Sequence, residues 1–332
     1  MLSQVSVGDG SVNNGHFLSA VNLAGYASHR GYKCPLVFVV TNNEVCISLR
    51  GHGWITPFLE KLHMPLFTAD GMDMGSVYDG STAAIEHARK NKTSVCLLVD
   101  NVPRRFGHAA TDRQLAYLSS DEIATAIERN PLEGAAAQLV AAGGASYPEL
   151  AEKFERFSRL TEAAFDEAAG EAKITDVGRM VAMNSAPMVE PPAAAVAAVA
   201  PTKKQMRPAV MRKHMTSVVA ETLDRHPTAV YLGEDVEHGG YYLVTDALAK
   251  AYPQRVRDFP PDETSLVGAA VGFAQVGLLP MCEIPYAKYL DCAYDQFEEA
   301  AIAHWLSAGQ VSSLKNDDFP LMDVLLYGTK TG

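Results

Sequence analysis

The stretch that most constrains this chain is Gly8-Asp9-Gly10-Ser11-Val12-Asn13-Asn14-Gly15, read together with Asn42-Asn43 one hydrophobic run later. Gln4-Val5-Ser6-Val7 predicts a short buried strand, His16 to Gly31 a helix, and the apolar run from Pro35 to Thr41 a second, parallel strand. An aspartate between two glycines therefore falls where a strand gives way to a helix, and an asparagine pair ends the neighbouring strand. In a doubly wound sheet both places lie at the carboxyl edge, where ligands bind. Gly8 and Gly10 allow the backbone close to a phosphate, and the following helix turns its first N–H groups toward an anion. A carboxylate beside a phosphate site suggests a hard cation, since Mg2+ is held by a few protein oxygens together with phosphate and water. Asp9 offers a carboxylate, Asn43 an amide oxygen and Val45 a backbone carbonyl. The plain alternative is an ordinary strand–turn–helix with Asp9 as a cap and Asn42-Asn43 as a turn.

The remaining chain continues the alternation. Leu66 to Asp70 predicts a strand, Met74 to Asn91 a helix and Thr93 to Val99 a strand, as in a parallel α/β layer. Asp70-Gly-Met-Asp73 reads as a turn. After the strand ending at Val99 comes Arg104-Arg-Phe-Gly-His-Ala-Ala-Thr-Asp112, a loop carrying Arg and His at the ligand edge. Ser120-Asp-Glu122 opens helical material that runs to about Ala172 and whose Ala- and Glu-rich face suits packing. From Met180 to Pro208 the composition turns to Ala and Pro, which marks an extended linker between residues 1–179 and 209–332. Beyond it, Ala209–Arg225, Thr245–Tyr252, Thr264–Gly277 and Asp291–Leu306 predict helices. Ala229–Leu232, Val256–Asp258, Leu279–Ile284 and Phe319–Tyr327 predict strands, the last of them central. The fold expected is α/β: two domains with parallel sheets flanked by helices, both incomplete.

Bulk properties narrow the partners. The 332 residues carry a net charge of −11, which argues against nucleic acid or an anionic membrane as the main partner. No apolar run is long enough to span a bilayer, and the first residues lack signal-peptide character. Cys34, Cys46, Cys96, Cys282 and Cys292 show no paired metal spacing and read as buried thiols of a reducing compartment. Because the chain opens and closes close to core strands, the expectation is an internal piece of a longer ancestor, or one subunit of a split one.

Val7 to Ser48 resembles the thiamine diphosphate signature, a Gly-Asp-Gly followed one strand later by Asn-Asn. It looks most like the decarboxylating component of the 2-oxo acid dehydrogenase complexes, which also has an asparagine at the Asn13 position. The 31 residues between Gly10 and Asn42 exceed that family's usual spacing, with the excess around Ala27 to Cys34. The resemblance implies Mg2+ on Asp9, Asn43 and the Val45 carbonyl, with Gly8, Gly10 and Asn13 near the diphosphate of thiamine diphosphate. The loop Gly107-His108, with Asp112 and Tyr117, is similar to the family's histidine loop, so His108 would reach the cofactor as a positioned donor. Ala109 stands where animal relatives carry a phosphorylated serine, which implies that this control is absent. Residues 210–310 resemble the pyrimidine-binding subunit through Gly233-Glu-Asp-Val236, Gly239-Gly240, Glu263, Glu283, Tyr289 and Asp295-Gln296. By that likeness Glu263 would hydrogen-bond the 1′ nitrogen of the aminopyrimidine and Tyr289 would pack on its ring.

The implied reaction is decarboxylation of a 2-oxo acid, with the acyl group passed to a lipoyl group on a partner acyltransferase. The implied assembly is at least a homodimer, placed in the cytoplasm of a bacterium or the mitochondrial matrix of a eukaryote. Two other readings stay open: a non-catalytic fragment or scaffold of the family, and a transketolase-like enzyme that moves two-carbon units. Because the pieces that complete both domains in the family are missing, the chain alone is expected to turn over weakly or not at all.

Overall fold

The computed structural model describes residues 2–183, 210–306 and 323–326. The chain divides into two compact units, Met1–Ala172 and Lys173–Gly332. The boundary expected at residue 179 falls inside a short helix, Val177–Met183, and residues 184–208 of the Ala/Pro linker lie outside the described residues.

The first unit is built from strands β1 (Ser3–Gly8), β2 (Leu36–Thr41), the two-residue β3 (Val45–Cys46) and β4 (Leu49–Arg50), β5 (Leu66–Asp70) and β6 (Val95–Asp100). Its helices are α1 (Gly15–His29), α2 (Ile55–Leu59), α3 (Met74–Asn91), α4 (Ser120–Glu128), α5 (Pro131–Ala141) and α6 (Tyr147–Gly170). Four strands form a parallel sheet in the order β1-β2-β6-β5, while β3 and β4 make a small antiparallel hairpin. The period of two along a strand sorts the apolar residues onto two faces. Phe38, Val40, Cys96 and Leu98 pack with Phe17 and Ala24 of α1 and with Ile55 and Leu59 of α2. Val37, Val95 and Leu97 pack with Ala84 and Ala88, four residues apart on α3. Covered on both faces, β2 and β6 tolerate near-continuous apolar runs.

Two expectations change. β1 is an edge strand with most of its residues exposed, Val5 at 39%, rather than a buried one, because β2 is its only neighbour among the described strands. The thiols are not uniformly buried either: Cys96 and Cys282 are, and burial pushes each up to about 12, but Cys34 and Cys46 are half-buried and Cys292 is exposed. The helical stretch after Ser119 is three helices with separate caps. Ser119 with Glu122 and Ser146 with Glu149 form capping boxes at α4 and α6, and Asn130 caps α5.

The second unit holds, after the Val177–Met183 helix (α7), α8 (Met211–Arg225), β7 (Ala229–Gly233), α9 (Leu248–Ala251), β8 (Val256–Asp258), α10 (Glu263–Gln275), β9 (Leu279–Ile284), α11 (Leu290–Leu306) and β10 (Asp323–Leu326). Its sheet is also parallel, in the order β10-β9-β7-β8, so the strand expected to be central is outermost among the four described. Two apolar clusters again cover opposite faces, one around Tyr231 and Met281 and one around Leu232, Cys282 and Ile284. α10 and α11 pack closely: a Cβ on Gly268 of α10 would lie 2.9 Å from Gln296 Oε1 of α11. No described helix is long and apolar enough to cross a membrane.

Two buried polar groups give tests of this packing. Asn42, 2% exposed, spends its whole side chain on the loop after β2. Its Nδ2 donates to Asp100 Oδ1 at 2.8 Å and Glu44 Oε1 at 2.9 Å, and its Oδ1 accepts from Glu44 N at 3.0 Å. Asn42→Ala strips two carboxylates of a donor and is expected to destabilise the first unit by about 2 kcal/mol, measured by denaturant unfolding. Glu283 is fully buried on β9, and burial is the main cause that raises its pKa above the ordinary 4.5, with the charge of Glu234 adding to it. Tyr231 OH donates to Oε2 at 2.8 Å, and Oε1 has no hydrogen-bond partner among the described residues. A carboxyl with a raised folded pKa stabilises fully below its unfolded value and loses that contribution as pH climbs through the folded one. The thermal midpoint of the second unit is therefore expected to fall as pH rises from the ordinary carboxylate range through the raised pKa of Glu283. Glu283→Gln should flatten that profile, and a wild-type midpoint independent of pH would contradict the assignment.

Candidate functional site

Strand register places the loops that carry chemistry. Gly8 pairs with Thr41 and Thr41 with Val99, so the turns after β1, β2 and β6 leave the sheet side by side. A cavity of about 780 Å3 opens there, lined by Gly8, Asp9, Gly10, Asn43, Val45, Cys46, Arg104 and His108 among others. Of the residues assigned from sequence in the first unit, the cavity gathers all but Asn13. That side chain is exposed and turned back, Nδ2 donating to the Gly10 carbonyl at 3.2 Å.

The local reasons are specific. A 3-10 turn, Asp9–Asn13, intervenes between β1 and α1, so the helix does not start directly after Gly10. Asn14 caps α1 by accepting from His16 N at 2.8 Å, which occupies one of the N–H groups expected for an anion. Gly10 is required by protein rather than by ligand, because a Cβ there would come within 2.1 Å of Cys46 Sγ. Gly8 meets nothing within 4 Å in the same test, so its backbone stays open.

The two asparagines after β2 divide the work. Asn42 is structural, as described above. Asn43 lines the cavity while its Oδ1 accepts from Val45 N at 2.9 Å, an Asx turn that leaves one lone pair of that oxygen for another ligand. The loop is held in an unusual shape, with Glu44, Ile47 and His52 all at φ between 50° and 62°. Non-glycine residues rarely adopt that region, and such strain concentrates where function fixes the backbone. Glu44 ties it together: Oε1 accepts from Asn42 and Oε2 from Gly53 N at 2.9 Å.

Burial is the main cause that raises the pKa of Asp9, and the negative charge of Glu44 adds to it. Hydrogen bonds from the Gly10 and Asp9 amides, and the Arg104 charge, pull it the other way. A carboxylate crowded by a second carboxylate beside two neutral oxygen donors is a donor set that fits a hard dication, which would relieve the repulsion. The cavity also offers Ser11, His16 and Arg104 for an anionic group, against an apolar wall of Val7, Phe17 and Phe38.

The 104–117 loop is fixed by one atom. Asp112 Oδ2 accepts from Arg104 Nη2 at 2.8 Å, from His108 N at 2.7 Å and from Tyr117 OH at 2.6 Å. Those hydrogen bonds, Tyr117 first, hold the Asp112 carboxyl below its ordinary value. Gly107 lies so close that a Cβ there would be 3.1 Å from the same carboxylate, and Arg104 reaches back through Nη1 to the Ile47 carbonyl. His108 is exposed at the cavity edge, with its backbone N–H fixed by Asp112. The β3–β4 hairpin is anchored outward, Arg50 donating to Glu122 at 2.7 Å. Asp70 and Asp73 fulfil the turn reading: Asp70 accepts from Met72 N and Asn101 Nδ2, and Asp73 caps α3.

Glu263 and Tyr289 belong to the second unit. Glu263 is half-buried in the first turn of α10, but the cap is its neighbour, since Asp262 accepts from Ser265 N at 3.3 Å and from Ser265 Oγ at 2.7 Å. Glu263 is thereby released from the capping role that its position suggested. Its charge, after burial, raises the pKa of Glu234, a carboxylate to which the sequence assigned no role. Tyr289 packs beside the cluster of Leu266, Ile284 and Phe297 and meets Tyr286 edge-on at 5.4 Å, in a group that also holds Tyr241 and Tyr242. Sequence reasoning left without roles Asp112, Arg104, Glu44 and Cys46. The first two stood inside a quoted loop, but nothing in the pattern showed three donors converging on one oxygen.

Comparison with known proteins gives the chain its family. Residues 1–176 match the family model described as dehydrogenase E1 component, and residues 207–312 match the transketolase pyrimidine-binding domain. A pyruvate dehydrogenase E1 component subunit alpha from Rickettsia conorii is 32% identical over 131 residues, 38% of each chain. A 2-oxoisovalerate dehydrogenase subunit beta from Pseudomonas aeruginosa is 39% identical over 102 residues, 30% of this chain and 29% of that one. A mitochondrial pyruvate dehydrogenase E1 component subunit beta-1 from rice is 32% identical over 124 residues, 36% of this chain and 33% of the relative. The chain thus spans roughly a third of each curated relative named here. With more than half of its length in the first match, and a pyrimidine-binding domain following in the same polypeptide, the chain belongs to the dehydrogenase E1 component family.

Proposed function

We propose that this chain takes part in thiamine diphosphate- and Mg2+-dependent oxidative decarboxylation of a 2-oxo acid, with transfer of the acyl group to a lipoyl group of a partner acyltransferase. The observation that carries the reading is the single cavity in which Asp9, Asn43, Val45, Arg104 and His108 meet. The names of the relatives support the same class of reaction.

In this reading Asp9, the Asn43 amide oxygen and the Val45 carbonyl hold the metal, while Gly8, Gly10 and Arg104 face the diphosphate. Bound thiamine diphosphate supplies an electron sink for the decarboxylation. Glu263 would donate or accept at the 1′ nitrogen of the aminopyrimidine, from its half-buried place in the first turn of α10. Tyr289 supplies a ring face for the pyrimidine. His108 offers a donor to the substrate carbonyl oxygen, aimed by the Asp112 anchor rather than by its own side-chain partners. A homodimer or larger assembly, a lipoylated acyltransferase as partner and a cytoplasmic or mitochondrial location complete the proposal. The transketolase-like alternative is disfavoured because the histidine loop belongs to residues that match the dehydrogenase model.

Two measurements test it. Calorimetric titration of thiamine diphosphate with Mg2+ present is expected to show binding that disappears without the metal and weakens at least about tenfold in Asp9→Asn, the cost of one charged oxygen contact. Binding unaffected by either change would refute the metal assignment. Asp112→Ala is expected to loosen the loop, seen as faster proteolysis within residues 104–117, and to weaken cofactor binding. Asp112→Asn should lie between, since it keeps an acceptor for His108 N but loses the charge that pairs Arg104. Assay of 2-oxo acid decarboxylation against ketose cleavage separates the two enzyme readings. Turnover by the isolated chain is expected to be weak.

A further inference from the structure

At the carboxyl edge of the second sheet, apart from every residue assigned above, three ligand-type side chains converge. Asp235 follows β7, His238 ends the short 3-10 turn Val236–His238, and Asp258 ends β8. One ligand atom from each lies within 4.8 Å of the other two. His238 Nδ1 is 3.4 Å from Asp235 Oδ1 and 3.9 Å from Asp258 Oδ2. Bonds of about 2.1 Å to one ion require neighbouring ligand atoms roughly 3.0–3.6 Å apart, a spacing that the first of these distances already meets and the second nearly does.

We propose that Asp235, His238 and Asp258 form a binding site for a divalent first-row transition-metal ion. The imidazole nitrogen is what separates this from an ordinary acidic patch: Ca2+ and Mg2+ take oxygen donors, whereas one histidine with two carboxylates suits Zn2+, Mn2+ or Fe2+. The charge balance points the same way. Among the described ion pairs, His238 is the only partner of either aspartate, while the neighbouring acid Glu237 pairs with Arg257 at 3.1 Å. Among the described ion pairs the two carboxylates thus share one imidazole, and a dication would neutralise them.

The frame is partly built. Asp258 Oδ1 accepts from Glu237 N at 2.7 Å, and Glu237 Oε1 accepts from Asp258 N at 3.2 Å. This reciprocal pair locks the end of β8 to the turn and leaves Asp258 Oδ2 directed to the histidine. Asp258 is only 16% exposed, whereas Asp235 and His238 are 73% and 76% exposed, so the remaining coordination positions open to water. An ion here would cross-link the turn after β7 to the end of β8, beside the loop that carries Glu234. The site does not depend on the cofactor reading of the first unit.

The test is calorimetric titration of ZnCl2 into the full chain without thiamine diphosphate. It is made in an Asp9→Asn, Cys292→Ser background, so that the other proposed metal ligand and the exposed thiol do not compete. One ion per chain is expected to bind in the micromolar range, at least tenfold more weakly in both Asp235→Asn and His238→Ala. Both side chains are exposed, and asparagine tolerates the left-handed φ of 56° at position 235, so the variants should fold, as circular dichroism would verify. Absence of binding, equal affinity in the variants, or a loss confined to one of them would each overturn the three-ligand site. Failure of thiamine diphosphate to bind the native chain would bear only on the earlier proposal.

Discussion

Everything that matters in the first unit hangs from the parallel pairing of β2 with β6. In-register hydrogen bonding sets Val40 opposite Leu98 and Thr41 opposite Val99. The strand ends then fall level, and three separate loops begin within reach of one another. Asn42 extends the pairing past the sheet: its N–H donates to the Val99 carbonyl, its own carbonyl accepts from Val102 N, and its side chain ties down Asp100 and Glu44. A slip of one residue would exchange the two faces of β2 and β6 and scatter the loops. The buried asparagine resists that slip, because its donors and acceptors are satisfied in one register only.

From that frame the cavity is assembled by short polar ties rather than by packing. Glu44 spans the loop from Asn42 to Gly53, Asp112 gathers Arg104, His108 and Tyr117, and Arg50 reaches Glu122. A loop defined by a few charge-assisted contacts can be precise while still exposed, because each such bond is stronger than a neutral one. The same economy explains why Ala109 and Ala110, which make no such ties, sit at the exposed tip of the His108 loop. The second unit relies on a different device. Burial raises the pKa of Glu234 and of Glu283 above the ordinary carboxylate value, the charge of Glu263 adding to the first and that of Glu234 to the second.

Much of this was legible in the residues. Nearly every strand and helix of both units lies within a residue or two of its expected bounds, because doubly covered parallel strands are written as apolar runs and helices as capped periodic segments. Asp9, Asn43, Val45 and His108 were singled out and do share a cavity. The misreadings have a common origin. Val5 and Val7 look like a core strand in composition, yet among the described strands β1 has one neighbour, so Val5 stays exposed and Val7 is only half-buried. Glu263 looked as much a cap as a functional acid, and only the bonds made by Asp262 show which residue caps α10.

The sequence by itself determined the alternation of strands and helices, the α/β class, the two-part organisation and the kinds of side chain brought to each strand end. These follow from local periodicity, turn chemistry and composition, which a linear pattern carries in full. Tertiary structure alone decided which oxygen of which carboxylate is occupied, and that Gly10 answers to Cys46. It also set the convergence on Asp112 and the approach of His238 to Asp235 and Asp258. Some of those outcomes join distant segments, as Gly10 with Cys46 and His238 with Asp258, and others set the shape of one loop, as at Asp112. Both depend on three-dimensional geometry that a linear pattern of residue types does not encode.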